Sequence, residues 1–269
     1  MLLEEIAQSR LIDLGQPLRQ GMPQSTTSPP FRLALERRHG DEHRPDGGSG
    51  ASEMIVTGGH VGTHVDALAH ASQDGLLHGG HEAQALQSPQ GFTRLGIDAF
   101  LPYVGRCVIL DVPRVHGLLH LPEGYEITPD DLDAAQRLAD AELRPGDGVL
   151  VATGWSRLWD DRARFAVAGS PGPGEWAGRW LTERRPRFVG GETLAFERLD
   201  VAAGMPLTAA SVQLPVHRIM LVESGVNIVE AMRLWPLLDL QVGECAVVMN
   251  PLPIVGATGA PVRPLALVG

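Results

Sequence analysis

Apolar and polar positions along the chain change period repeatedly, and each change predicts an element. Leu11 to Leu14 is a short apolar run that reads as a strand, and the turn-rich Gly-Gln-Pro-Leu-Arg-Gln-Gly-Met-Pro follows it. Ser25 to Pro30 continues irregularly towards Phe31 to Arg38, and residues 39 to 52 are polar and Gly-rich, a surface loop. Met54 to Thr57 reads as a strand. Arg106 to Asp111 has the continuous apolar character of a buried strand and is ended by Pro113. Thr128-Pro-Asp-Asp131 predicts a helix start, with Thr128 as N-cap, Pro129 at the first helical position and acidic residues in the first turn. Leu132, Ala135, Leu138, Ala139 and Leu143 then form its core-facing stripe.

Arg144-Pro-Gly-Asp147 turns this helix into a strand, Gly148 to Thr153. Glu175 to Glu183 predicts a second helix with Trp176 and Trp180 on one face, and Phe188 to Gly191 a short strand. The chain from 200 to 216 is mixed and interrupted by proline. Val226 to Val229 and Cys245 to Asn250 close the pattern as strands. Strands alternating with helices define an α/β chain. With no internal repeat, low-complexity tract or clear linker, residues 1–269 are expected to form one domain.

Composition narrows the function. Hydrophobic residues make up 43% and charged residues 20%, a globular balance. The net charge of −10, from 22 Lys plus Arg against 32 Asp plus Glu, repels nucleic acid and anionic membranes and favours a small-molecule substrate. The N-terminal stretch carries Glu4 and Glu5 and does not read as a secretory signal, and no apolar run reaches membrane-spanning length. Cys107 and Cys245 each lie in an apolar run with no second cysteine nearby in sequence, which argues against a disulfide framework or a thiolate metal site. The cytoplasm is the expected location.

Candidate chemistry concentrates in Gly58-Gly-His-Val-Gly-Thr-His-Val-Asp-Ala-Leu-Ala-His70. His60, His64, Asp66 and His70 put three imidazoles and a carboxylate into one short stretch, a ligand set suited to zinc or manganese. Glycines and β-branched residues weigh against a helix here. In a straight strand His60 and His64 would sit roughly 13 Å apart, so Gly62 is expected to bend the segment and let the side chains converge with Asp66. His116 and His120 form a rival pair with few carboxylates nearby. Trp155 and Trp159, just after a strand end, are candidate walls for an aromatic substrate or core residues, and His78 is a pocket-lining or exposed loop residue. His217 precedes an apolar run and Glu230 ends a strand; locally they read as a helix-end histidine and a surface glutamate.

His60-Val-Gly-Thr-His64-Val-Asp66, with His70 four residues on, resembles the signature of the metal-dependent cyclase-like hydrolases, a family that includes bacterial kynurenine formamidases and isatin hydrolases. Asp-Leu-Gly-Gln-Pro-Leu, Arg-Pro-Gly-Asp-Gly-Val-Leu-Val-Ala-Thr-Gly-Trp and the stretch from His217 to Glu230 are similar to that family's landmarks in the same order. The resemblance implies a compact α/β domain with a mixed, barrel-like sheet flanked by helices, assembled as a homodimer or higher homo-oligomer. It implies one or two Zn2+ or Mn2+ ions, with His60 and His64 on one, His217 on a second, Asp66 and Glu230 binding or bridging both, and His70 as catalytic acid or base. Formamidases typically have proline two residues after the motif aspartate, where this chain has Leu68. The expected reaction is hydrolysis of an amide, aryl formamide or lactam by water activated at the metal. The alternatives are a cyclase, dehydratase or lactone hydrolase with the same centre, or a non-catalytic binding protein.

Overall fold

A computed structural model describes residues 2–167, 169–199 and 213–269, so most of the mixed stretch from 200 to 216 lies outside the described residues. The strands of the main sheet are β1 (Arg10–Asp13), β4 (His64–Asp66), β5 (Tyr103–Asp111), β6 (Gly148–Ala152), β7 (Phe188–Gly190), β8 (Asn227–Glu230), β9 (Glu244–Met249), β10 (Gly259–Pro261) and β11 (Leu265–Val268). Two more, β2 (Arg32–Arg37) and β3 (Ser52–Val56), pair only with each other. The main sheet runs in the order β1-β11-β9-β5-β6-β7-β8-β4-β10. Its centre, β5 to β8, is parallel and its flanks are antiparallel.

The central strands are buried on both faces, which explains their unbroken apolar runs. Cys107 and Ile109 of β5, with Leu150 and Ala152 of β6, enter one core; Val108, Leu110, Val149 and Val151 enter the other. The first core also takes Ile12 and Ala266 from one end of the sheet and Ala260 from the other. The sheet is therefore curled into a half-barrel around that core. Helices cover the second core.

The helix α1 (Pro129–Ala139) begins as the sequence predicts. Thr128 accepts from Asp131 N while the Asp131 carboxylate accepts from Thr128 N, a complete capping box. It stops at Ala139, earlier than the apolar stripe suggests, because Asp140 takes the left-handed conformation; Leu143 still packs against the second core. Along α2 (Glu175–Glu183) the two tryptophans part company. Trp180 is 7% exposed and donates its indole N–H to Asp133, whereas Trp176 is 74% exposed. Ala177, Gly178 and Leu181 centre the buried arc, and Trp176 falls outside it.

Cys107 and Cys245, distant in sequence, are direct cross-strand partners on β5 and β9. Both are free and buried, and burial pushes both thiols well up, that of Cys245 to about 12. They are inert core residues, as their apolar settings imply, and only strand pairing makes them neighbours. No helix among the described residues is long and apolar enough to cross a membrane.

Candidate metal centre

The centre is assembled at the junction of the parallel and antiparallel parts of the sheet. Glu230, the last residue of β8, lies directly opposite His64, the first of β4. Cross-strand partners present their side chains on the same face, so strand register alone brings this carboxylate to this imidazole. The segment before β4 bends at Gly62, whose φ of +70° belongs to the left-handed region. A Cβ there would also run into the Leu18 side chain. The bend lets His64 Nδ1–H donate to the Gly62 carbonyl at 2.9 Å, which turns Nε2 inward. His60 folds back over the same point: its Nδ1 sits 2.7 Å from Asp66 Oδ1, and its Nε2 meets Thr258 Oγ1 at 2.9 Å. Gly259 makes room for that ring, since a Cβ there would meet His60 Cε1 at 2.6 Å.

The second half arrives from far along the chain. His217 ends the short helix α3 (Pro215–His217), which runs on as a π-helix over Arg218–Ser224. Its Nε2 lies 3.3 Å from Glu230 Oε1 and 3.6 Å from Asp66 Oδ2. His64 Nε2 lies 3.3 Å from Glu230 Oε2 and 3.4 Å from Asp66 Oδ1. Two sets of potential ligand atoms, His60-His64-Asp66 and Asp66-His70-His217, each fall within 4.8 Å of one another. Asp66 belongs to both, and Glu230 spans the imidazoles of His64 and His217. His70 returns to the cluster through a turn in which its N–H donates to the Ala67 carbonyl. Its ring stacks on His60 at 4.0 Å between centroids and stands 5.9 Å from His217.

Electrostatics in this cluster are strong because His64, Asp66, His217 and Glu230 are all nearly or fully buried. Burial alone pulls His64 down, but the Asp66 and Glu230 carboxylates overcome it and raise its pKa to about 10. His217 is raised well above its ordinary value against the same burial, chiefly by the hydrogen bonds it donates to the Asp66 and Glu197 carboxylates. Asp66, pushed up by burial, is brought well below its usual range by the surrounding imidazoles, His70 foremost. His70 presents an exposed edge at the mouth of the cluster, yet desolvation of its inner side, opposed by Asp66 and reinforced by His60 and His217, lowers it to about 4.

Two buried atoms aimed into the cluster, His64 Nε2 and Asp66 Oδ2, have no hydrogen-bond partner among the described residues. An imidazole nitrogen and a carboxylate oxygen left unpaired side by side suit a shared cation, and the mixed N/O set fits zinc or manganese. The residues present therefore fit a divalent metal.

One member is invisible to local pattern. Glu197, 1% exposed, accepts from Val216 N at 2.8 Å and His217 N at 2.9 Å, and its Oε1 also accepts a hydrogen bond from His217 Nδ1–H. It fixes both the tautomer and the aim of His217, as a carboxylate behind a metal-bound histidine does. Nothing in the surrounding Ala-Phe-Glu-Arg-Leu marks it, and it precedes His217 by a stretch without periodicity. Asn227 is similar: its side-chain amide donates to the Asp66 carbonyl at 2.7 Å and locks β4 to β8.

The other candidates lie elsewhere. Trp155 and Trp159 pack in a third apolar cluster with Val61 and Ala231, the neighbours of His60 and Glu230, so they back the chain that carries those two residues. His78 donates Nδ1–H to the Val222 carbonyl at 2.9 Å and rests on Gly225, against the π-helix that follows His217. The His116 and His120 pair does not converge: His116 bonds Asp131 at 2.8 Å, and His120 bonds the Leu121 carbonyl and meets Trp155 edge-on.

This fold and cluster define a known class. The family model described as "Putative cyclase" matches residues 12–198, and the chain belongs to that family. Among solved structures, one described as a novel cyclase is 28% identical, with a TM-score of 0.85 over 98% of this chain and 89% of that one. Isatin hydrolase A from Ralstonia solanacearum is 25% identical, with a TM-score of 0.73 over 100% of this chain and 96% of that one. A structure described as a potential metal-dependent hydrolase with cyclase activity is 23% identical, with a TM-score of 0.60 over 97% of this chain and 100% of that one, and shares the fold.

Proposed function

We propose that this chain is a metal-dependent hydrolase that opens an amide, aryl formamide or lactam C–N bond in a small molecule. The observation that carries the reading is the convergence of His60, His64 and His217 on the Asp66 carboxylate, with Glu230 between His64 and His217 and with His64 Nε2 and Asp66 Oδ2 buried and unpaired. The isatin hydrolase likeness supports a lactam or aryl amide among the candidate bonds. His60 and His64 would hold one Zn2+ or Mn2+ ion and His217 a second where two are bound, with Asp66 and Glu230 placed to serve either. Such an ion supplies Lewis-acid polarisation of a carbonyl and acidifies water.

The residues do the rest. Glu197 keeps the His217 proton on Nδ1 and so leaves Nε2 free to ligate. His70 is neutral at pH 7 by virtue of its lowered pKa, stands at the open side of the cluster, and can take a proton from the attacking water and return it to the leaving nitrogen. The two-stranded ribbon β2–β3 exposes Leu33, Leu35, Met54, Ile55 and Val56, which supports self-association as a homodimer or higher homo-oligomer.

The test is turnover of N-formylkynurenine, isatin and simple lactones by protein reconstituted with zinc or manganese. Hydrolysis adds the mass of water to the substrate; loss of water instead assigns the centre to a cyclising dehydration. Full activity in a chelator, from protein that metal analysis shows to be ion-free, overturns the metal-dependent reading altogether.

A further inference from the structure

The loop that follows β7, residues 191–197, reaches the metal centre twice from behind. Phe196 N–H donates to Glu230 Oε1 at 2.8 Å, and Glu197, next in the chain, holds His217. Both contacts fall on the side of the cluster where His217 Nε2 lies 3.3 Å from Glu230 Oε1. The same loop sets the chain on either side of Glu230. Gly191 N–H donates to the Val229 carbonyl, the Gly191 carbonyl accepts from Met232 N–H, and the Thr193 carbonyl accepts from Ala231 N–H, each at 2.9 Å. Ala231 has a φ of +51°, a left-handed conformation that a residue with a Cβ keeps only where its surroundings impose it. Thr63 Oγ1 supplies the other restraint, donating to the Ala231 carbonyl at 2.7 Å.

Irregular backbone has no ladder of its own, so side chains must fix its shape. Thr193 Oγ1 donates to the Ala195 carbonyl at 2.6 Å, and the Phe196 ring lies on Gly191, where a Cβ would meet it at 2.9 Å. These contacts close the loop on itself without tying it to β6, the strand on the other side of β7. Glu192 makes that tie. Its side chain is fully buried, and its Oε2 accepts from Thr153 N–H at 2.6 Å, Gly154 N–H at 2.5 Å and the Thr153 hydroxyl at 3.0 Å. Its Oε1 accepts from the Ser156 hydroxyl.

Backbone N–H groups can only donate, so the position demands an acceptor. Burial pushes the Glu192 carboxyl up against these bonds, and it has no ion pair among the described residues. A carboxylate buried without a cation adds nothing through charge pairing; what it contributes is the geometry its bonds impose. We infer that Glu192 is a positioning residue of the metal centre: it pins loop 191–197 to the turn after β6, so that Phe196 N–H and Glu197 set the spacing of Glu230 and His217. The inference rests on the metal-dependent reading of the cluster. Glu192 acts through the loop alone, since its hydrogen bonds all go to residues 153–156.

Glu192→Leu keeps a side chain of similar size and removes both acceptors. Two readouts test it in the full chain. Nitrogen–proton correlation of the histidine rings in metal-free protein, with His217 assigned by His217→Gln, reads the placement of His217. Competition against a chromophoric chelator reads zinc affinity. The expected result is a displaced set of His217 ring signals, unchanged signals from His116, and zinc affinity lowered roughly 10-fold, the lower end of what support of a ligand is worth. Val247→Ala, a cavity in the first core and away from this loop, is the destabilised control and should leave both readouts at the parent values. If the leucine variant fails to fold, Glu192→Gln, which keeps one oxygen for the Thr153 and Gly154 N–H groups, is read instead, with a smaller loss of more than about twofold expected. Three results overturn the inference: His217 signals that stay at the parent positions; zinc affinity within twofold of a parent that binds zinc; or a control that moves both readouts as far. A parent that binds no zinc removes the metal-dependent reading, and the ring signals alone then decide whether Glu192 positions His217.

Discussion

Replacing Glu197 with glutamine removes one proton acceptor while leaving side-chain volume almost unchanged, which isolates its effect on His217. In the native chain one carboxylate oxygen takes Val216 N–H and the other takes both His217 N–H and the His217 Nδ1 proton. Glutamine offers one oxygen and one NH2 group. If the oxygen faces His217, the NH2 meets the Val216 N–H donor to donor; if it is flipped, the imidazole loses its acceptor. Either way a buried donor is stranded, costing about 1–3 kcal/mol of folding stability. The remaining bond to the imidazole becomes neutral and weaker. Loss of such a supporting carboxylate costs roughly 10–100-fold in metal affinity, equivalent to about 1.4–2.7 kcal/mol. Competition against a chromophoric chelator, done with zinc and with manganese, reads the affinity, and a thermal melt of the metal-free protein reads the stability. A variant that binds both metals within twofold of the parent would show that Glu197 does not govern the aim of His217.

Three further outcomes follow from the same geometry. His70→Ala should lose on the order of 100-fold or more in kcat while metal content is unchanged; unchanged turnover would remove His70 from proton transfer. The metal-free protein should lose stability as pH rises. His64 carries a raised folded-state pKa, so its contribution is complete below its unfolded value of 6.5 and is lost as pH climbs through about 10. Melting temperatures measured from pH 6 to 10 should therefore fall for metal-free protein, and metal binding at pH 7 should release protons, seen as a buffer-dependent binding enthalpy. A flat melting profile and no proton release would contradict the charged cluster. Gly62→Ala forces a Cβ into the left-handed conformation and against Leu18, so it should cost about 1–3 kcal/mol and weaken metal binding with it. Denaturant unfolding without metal, set beside a metal titration, separates the two effects.

The chain by itself determined the alternation of elements, because each carries its own local signal. The capping box at Thr128 and Asp131, the apolar runs of β5 and β6 and the left-handed requirement at Gly62 are all local. It likewise determined the first half of the candidate metal centre, since His60, His64 and Asp66 lie within one bend of backbone. Family resemblance, not spacing, pointed to His217 and Glu230. Only the tertiary structure decided why they meet: β8 pairs with β4 in a register that sets Glu230 opposite His64, and α3 enters from outside the sheet to bring His217 to Asp66. Glu197, the cross-strand thiols and the opposed fates of Trp176 and Trp180 also came from packing alone. The physical reason is the same in each case. A hydrogen-bond ladder or a helix turn is encoded by neighbours in sequence, whereas the partner of a buried polar group is chosen by which distant surface closes over it.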